Sequence, residues 1–196
     1  MRSYRSVWFI LPFVLIFSLL SLSQNPPSPD DDDDTPGATE APAPPRGPST
    51  ADERAKALKY AQDLEQNPLG ENAREERGWL LEWIDKVPDI TVPICSTLLP
   101  ASLSQTQRRF AHEITYQMVI ASAAYIIEHP NNTDDDAPYI AGVEGALKTY
   151  ENILKVRPQA RWPVLDDLIE KRDKGELTKY VREHADKECS GDREVV

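Results

Sequence analysis

The chain is poor in the residues that do most protein chemistry. Its 196 residues contain three histidines, two cysteines, two methionines and eight glycines. No glycine-rich phosphate loop, no serine nucleophile elbow and no Cys-X-X-Cys pair occurs. His112-Glu113 opens like a zincin helix, but the second histidine of that motif would stand at Tyr116. A di-iron bundle needs glutamate three residues before histidine; here those places hold Arg109, Ile126 and Val181. The acidic stretch after Asn131 fails as a calcium loop. Counted from Asn132, its sixth place is Ala137 and its twelfth Val143, where glycine and glutamate are required. Asp166 and Asp167 are helix neighbours about 100° apart, a poor carboxylate pair. No catalytic, cofactor-binding or metal-ligating residue is therefore assigned from sequence. No alternating strand pattern is present either, so the expected class is all-α.

What is present starts with an address. Arg2 and Arg5 precede an apolar run from Val7 to Leu20, and Ser21-Leu22-Ser23 supplies small residues before Gln24. Those three regions predict a signal peptide over residues 1–23, cleaved between Ser23 and Gln24. The apolar run is shorter than the roughly 20 residues of a spanning helix. The alternative is an uncleaved N-terminal anchor, the only route to a membrane association in this reading. No cysteine lies near residue 23, which excludes a bacterial lipoprotein end. Residues 24–50 are rich in proline and carry five aspartates, Asp30 to Asp34. With so little to bury, they read as a disordered linker. Residues 51–196 make one domain. Their net charge is −8; with −5 on the linker and +2 on the leader, this makes up the chain's −11. An acidic domain repels phosphate backbones, so nucleic acid is excluded as a partner.

Cys95 and Cys189 are the two cysteines. In an oxidising compartment an even count favours a disulfide, closing a loop of about 95 residues. Two unpaired thiols are the alternative. Asn131-Asn132-Thr133 is a glycosylation sequon wherever the host has the machinery.

The domain is expected to be a compact bundle of about six helices. Its centre is an antiparallel hairpin of helices at about 103–129 and 137–156. Phe110, Ile114, Met118, Ala121 and Tyr125 step by three and four, and other apolar residues fill neighbouring directions, so the helix begins amphipathic and becomes apolar almost all round in its C-terminal half, as a buried helix does. Pro130 stops that helix. Ser102 or Ser104 can cap its start. Ile140, Val143, Leu147, Tyr150 and Leu154 mark the seam of its partner, where Gly142 and Gly145 suggest close approach opposite Ala121, Ala123 or Ala124. Asp134 to Asp136 suit the positive end of this helix. Earlier, Thr50 with Glu53 forms a capping box for a helix carrying Ala55, Leu58, Ala61 and Leu64, ended by Asn67-Pro68. A second helix, from about Glu71 to Val87, presents Trp79 and Trp83 as core anchors. Pro163 opens a later helix and Gly175 closes it.

Ala146 to Leu154, followed by Pro158, resembles the second helix of a tetratricopeptide repeat. The first half departs from that family, with Asp134 and Ala137 where a small residue and a tyrosine belong, and no copy recurs at 34 residues. The expected function is that of an exported, periplasmic or secreted, helical module. It would bind a protein or peptide beside the hairpin. The alternatives are an envelope-anchored structural protein and a hydrolase-type enzyme without a recognisable motif.

Overall fold

A computed structural model describes residues 46–99 and 105–189. Among them are six α-helices, two single 3-10 turns and no strand. The expected signal peptide with its Ser23–Gln24 cleavage point, the linker up to residue 45, and the Ser102 and Ser104 caps lie outside the described residues.

Helix α1 (Ala51–Gln66) starts on the predicted capping box. The Thr50 hydroxyl accepts from the Glu53 N–H at 3.2 Å, and the Thr50 N–H donates to the Glu53 carboxylate at 2.8 Å. Such caps contribute about 1 kcal/mol. Its buried stripe is Ala57, Ala61 and Leu64, whereas Ala55 is exposed and Leu58 half-buried. Ala61 and Leu64 are buried as expected, but the stripe begins at Ala57 rather than Ala55 and steps by four before it steps by three. Helix α2 (Ala73–Lys86) starts two residues after its expected position. Gly70 and Ala73 donate to the Asn67 and Gly70 carbonyls, so the turn between α1 and α2 consumes Glu71 and Asn72. Trp83 is buried, and Trp79 stacks on it with centroids 5.7 Å apart.

The end of the expected linker is tied down. The Ser49 N–H and hydroxyl donate to the Asp89 carboxylate at 2.8 and 2.7 Å, and Arg54 donates to the same group at 2.7 Å. Burial pushes the Asp89 carboxyl up, but the bonds from Ser49 and Arg54 outweigh it and hold the group at about 2. Its ordinary value is 3.8. The clamp therefore stabilises the fold fully above about pH 4, and the contribution is lost as pH falls through 2. Asp89→Asn is expected to lower the melting temperature at pH 7 and to flatten its fall between pH 4 and 2. An unchanged acid limb in that variant would remove the clamp from the stability argument.

Helix α3 (Gln105–Glu128) explains its own apolar character. Ile120 and Ala123 belong to a core with α1 and α2, built on Leu64, Leu80 and Trp83. Phe110, Ile114 and Met118 belong to a second core shared with the later helices. A helix wedged between two cores needs apolar residues in most directions. Helix α4 (Ala137–Val156) follows the turn at residues 129–136 and packs along α3. Its Val143, Ala146, Leu147, Tyr150 and Ile153 are fully buried. The Tyr150 hydroxyl donates to Asp166 at 2.9 Å and accepts from the Trp162 N–H at 2.7 Å, which docks helix α5 (Pro163–Asp173) on α4. Burial, together with the Asp166 carboxylate, pushes the Tyr150 hydroxyl up to about 12, so it stays a donor at any working pH.

Gly175 adopts φ +74° after α5, and the Gly175 and Glu176 N–H groups turn back to the Arg172 and Lys171 carbonyls. That left-handed stop was the one expected. Helix α6 (Leu177–Glu188) then delivers Cys189 to Cys95. The pair has Cα atoms 5.6 Å apart, within disulfide range, and both residues are buried.

Candidate functional site

The three histidines are spent locally. Each lies against the ring of a tyrosine four residues away: His129 stacks on Tyr125, while His112 and His184 meet Tyr116 and Tyr180 at a tilt. The ring nitrogens of His129 and His184 also meet the carbonyls of Tyr125 and Tyr180 at 2.9 Å. Among the described residues no group of three metal-ligating side chains comes together. Of the residues assigned from sequence, the structure joins Cys95 to Cys189, while Ser23 and Gln24 lie outside the described residues.

The aspartates before α4 do more than face a helix dipole. Arg182 of α6 reaches Asp134 at 2.5 and 3.0 Å and Asp136 at 3.0 Å. Hydrogen bonding from Arg182 holds the Asp134 carboxyl below its ordinary range. A partner 46 to 48 residues away leaves no mark in local sequence. This clamp fastens the α3–α4 turn to α6.

A groove of about 570 Å³ lies between α1 and the α3–α4 pair. One wall is α1, through Leu58, Lys59 and Gln62. The opposite side is α3 and α4, through Tyr125, Glu128, Ala141 and Glu144. Three contacts hold the last turns of α1 in place. The Gln117 amide donates to the Ala61 carbonyl at 3.1 Å, the Asn152 amide to the Glu65 carbonyl at 2.7 Å, and Lys148 pairs with Glu65 at 3.5 Å. Beyond them the facing residues Ala61, Ala121, Ala124 and Ala141 are too small to close the space. The groove thus follows from alanine at positions where leucine would have filled the bundle.

Eight of its thirteen lining residues are polar or charged, and they are unevenly satisfied. Lys59 pairs with Asp63 one turn along α1, and Lys148 with Glu65. Glu128 is exposed and Glu144 half-buried, and among the described residues neither makes an ion pair. Gln117 is 2% exposed and lines the groove. Its bond to a carbonyl fixes the amide orientation, so the oxygen remains as an acceptor. Nothing in the sequence sets Gln117 apart from the other polar residues of α3; its position at a groove needed α1 in place.

Comparison of the chain with protein families, curated proteins and solved structures finds no match.

Proposed function

We propose that the chain is an exported helical binding module that takes a protein or peptide segment in the groove between α1, α3 and α4. The observation that carries this reading is the groove itself, an unfilled 570 Å³ trough in which four alanines and Leu58 sit among eight polar or charged side chains. A trough that sets small apolar residues beside groups able to orient an occupant suits an extended or helical segment. The paired cysteines suit an oxidising compartment. Among the described residues no helix is long and apolar enough to cross a membrane. In this reading the leader is removed before Gln24 and the proline-rich stretch acts as a spacer.

The test is capture of a partner on immobilised protein, compared with variants that plug the groove. Ala141→Trp and Gln62→Trp each place a large ring into it from opposite walls. A partner retained by wild-type protein and lost with both plugs supports the reading. A partner retained equally by the plugged proteins places binding elsewhere and sinks it. Mass spectrometry of the exported chain is expected to find its N-terminus at Gln24; an intact Met1 would favour the anchored alternative.

A further inference from the structure

Resting on that reading, we infer that the segment bound in the groove is basic, a lysine- or arginine-bearing stretch of a partner protein. The argument is one of charge left over. Of the five charged residues lining the groove, Lys59 is neutralised by Asp63, while Lys148 and Glu65 neutralise each other. Glu128 and Glu144 remain, both carboxylates and both without an ion pair among the described residues. The groove therefore presents two unspent negative charges on a chain whose net charge is already −11.

The neutral polar groups point the same way. The buried Gln117 amide has committed its nitrogen to the Ala61 carbonyl, so it offers an occupant an acceptor. Tyr125, half-buried on the same wall, presents a ring already stacked on His129 at 4.1 Å. A cation beside an aromatic face is attracted to it. The floor of alanines suits the methylene stem of lysine or arginine, which lies on apolar surface while its charged head reaches a carboxylate. An acidic segment would meet two uncompensated carboxylates, and a purely apolar one would cover Glu144 without pairing it. Acceptors, unpaired carboxylates and a small apolar floor together specify a donor-rich cationic occupant.

The experiment uses fluorescently labelled, end-blocked peptides that alternate alanine with lysine and arginine. A glutamate isomer and a glutamine isomer serve as the acidic and neutral probes, and binding is read by anisotropy on the full chain. The basic peptide is expected to bind, to be lost in Ala141→Trp and Gln62→Trp, and to weaken about tenfold in the double variant E128Q/E144Q. The double variant D52N/E75Q removes the same charge from exposed positions outside the groove and is expected to change binding less than twofold. Circular dichroism melts select the plug variant that folds. Equal binding by plugged protein, or equal loss in D52N/E75Q, would mean diffuse attraction to an acidic surface and overturns the inference. A neutral or acidic peptide that binds as tightly, and is displaced by the plugs, overturns the basic occupant and leaves the groove reading intact. Binding by none of the three also overturns it, and the groove reading is then decided by the capture experiment above.

Discussion

Reduction of the Cys95–Cys189 pair is expected to lower the melting temperature by about 10–20 °C while leaving most of the helix signal. The magnitude comes from the loop. The two cysteines are 94 residues apart in sequence, and a cross-link over that span restricts the unfolded chain by roughly 4–5 kcal/mol in the chain-entropy account. A domain of this size shifts by roughly 4 °C per kcal/mol. The retained helix follows from the core. Leu177, Val181 and Ala185 of α6 are buried without help from the sulfur bridge, and Arg182 holds Asp134 and Asp136. What the bridge adds is the link between α6 and the segment after α2, which joins the last helix to Leu98 and Leu99 in the same core. Thiol labelling of denatured, unreduced protein should find none, and two after reduction. Two reactive thiols before reduction, or a melting temperature unmoved by it, would sink the claim.

How far the sequence alone reached depends on the range of the interactions. Features made by residues within one turn were readable. The Thr50–Glu53 box, the stop at Pro130 and the left-handed Gly175 all rest on contacts between near neighbours, and the structure has each of them. The start of the α1 stripe was misplaced, at Ala55 instead of Ala57, because the two are the same residue type and only the neighbours decide which is covered. The Asp89 clamp joins residues 35 to 40 apart, and Arg182 reaches back 46 to 48. No periodicity encodes such pairs. The apolar residues of α3 were readable as core-facing, but that they serve two cores on opposite sides of one helix appears only when α1, α2 and α6 are placed. The groove was beyond reach for a related reason. It is defined by side chains that fail to fill space, and alanine in a helical sequence reads first as a good helix former.

Replacing Gly142 or Gly145 by leucine is expected to destabilise the domain by about 1–3 kcal/mol, a fall of roughly 4–12 °C. The two glycines reach this result by different routes. A Cβ on Gly142 would lie 2.7 Å from the backbone oxygen of Met118 and inside contact distance of the Ser122 hydroxyl. That hydroxyl lies 2.9 Å from the Met118 carbonyl and 2.8 Å from the Pro138 carbonyl, so displacing it removes a buried side-chain link between α3 and the start of α4. The expected small-residue contact for Gly142 is thus a serine and a backbone, not an alanine. A Cβ on Gly145 would instead overlap the methyl group of Ala121, as the sequence suggested. A methyl group has no rotamer with which to yield, so α3 and α4 must separate. The helix-propensity gain from removing glycine, about 1 kcal/mol, opposes both effects and is the smaller quantity for leucine. A volume swap separates packing from propensity. Gly145→Ala alone and Ala121→Gly alone should each lower the melting temperature, and the double variant should recover most of the loss, a coupling that only touching residues show. Additive losses in the double variant would mean that the two positions do not meet. A raised melting temperature in Gly145→Leu would mean that this face of α4 is open, and that the groove between α1, α3 and α4 extends further along the bundle than Ala141 and Glu144.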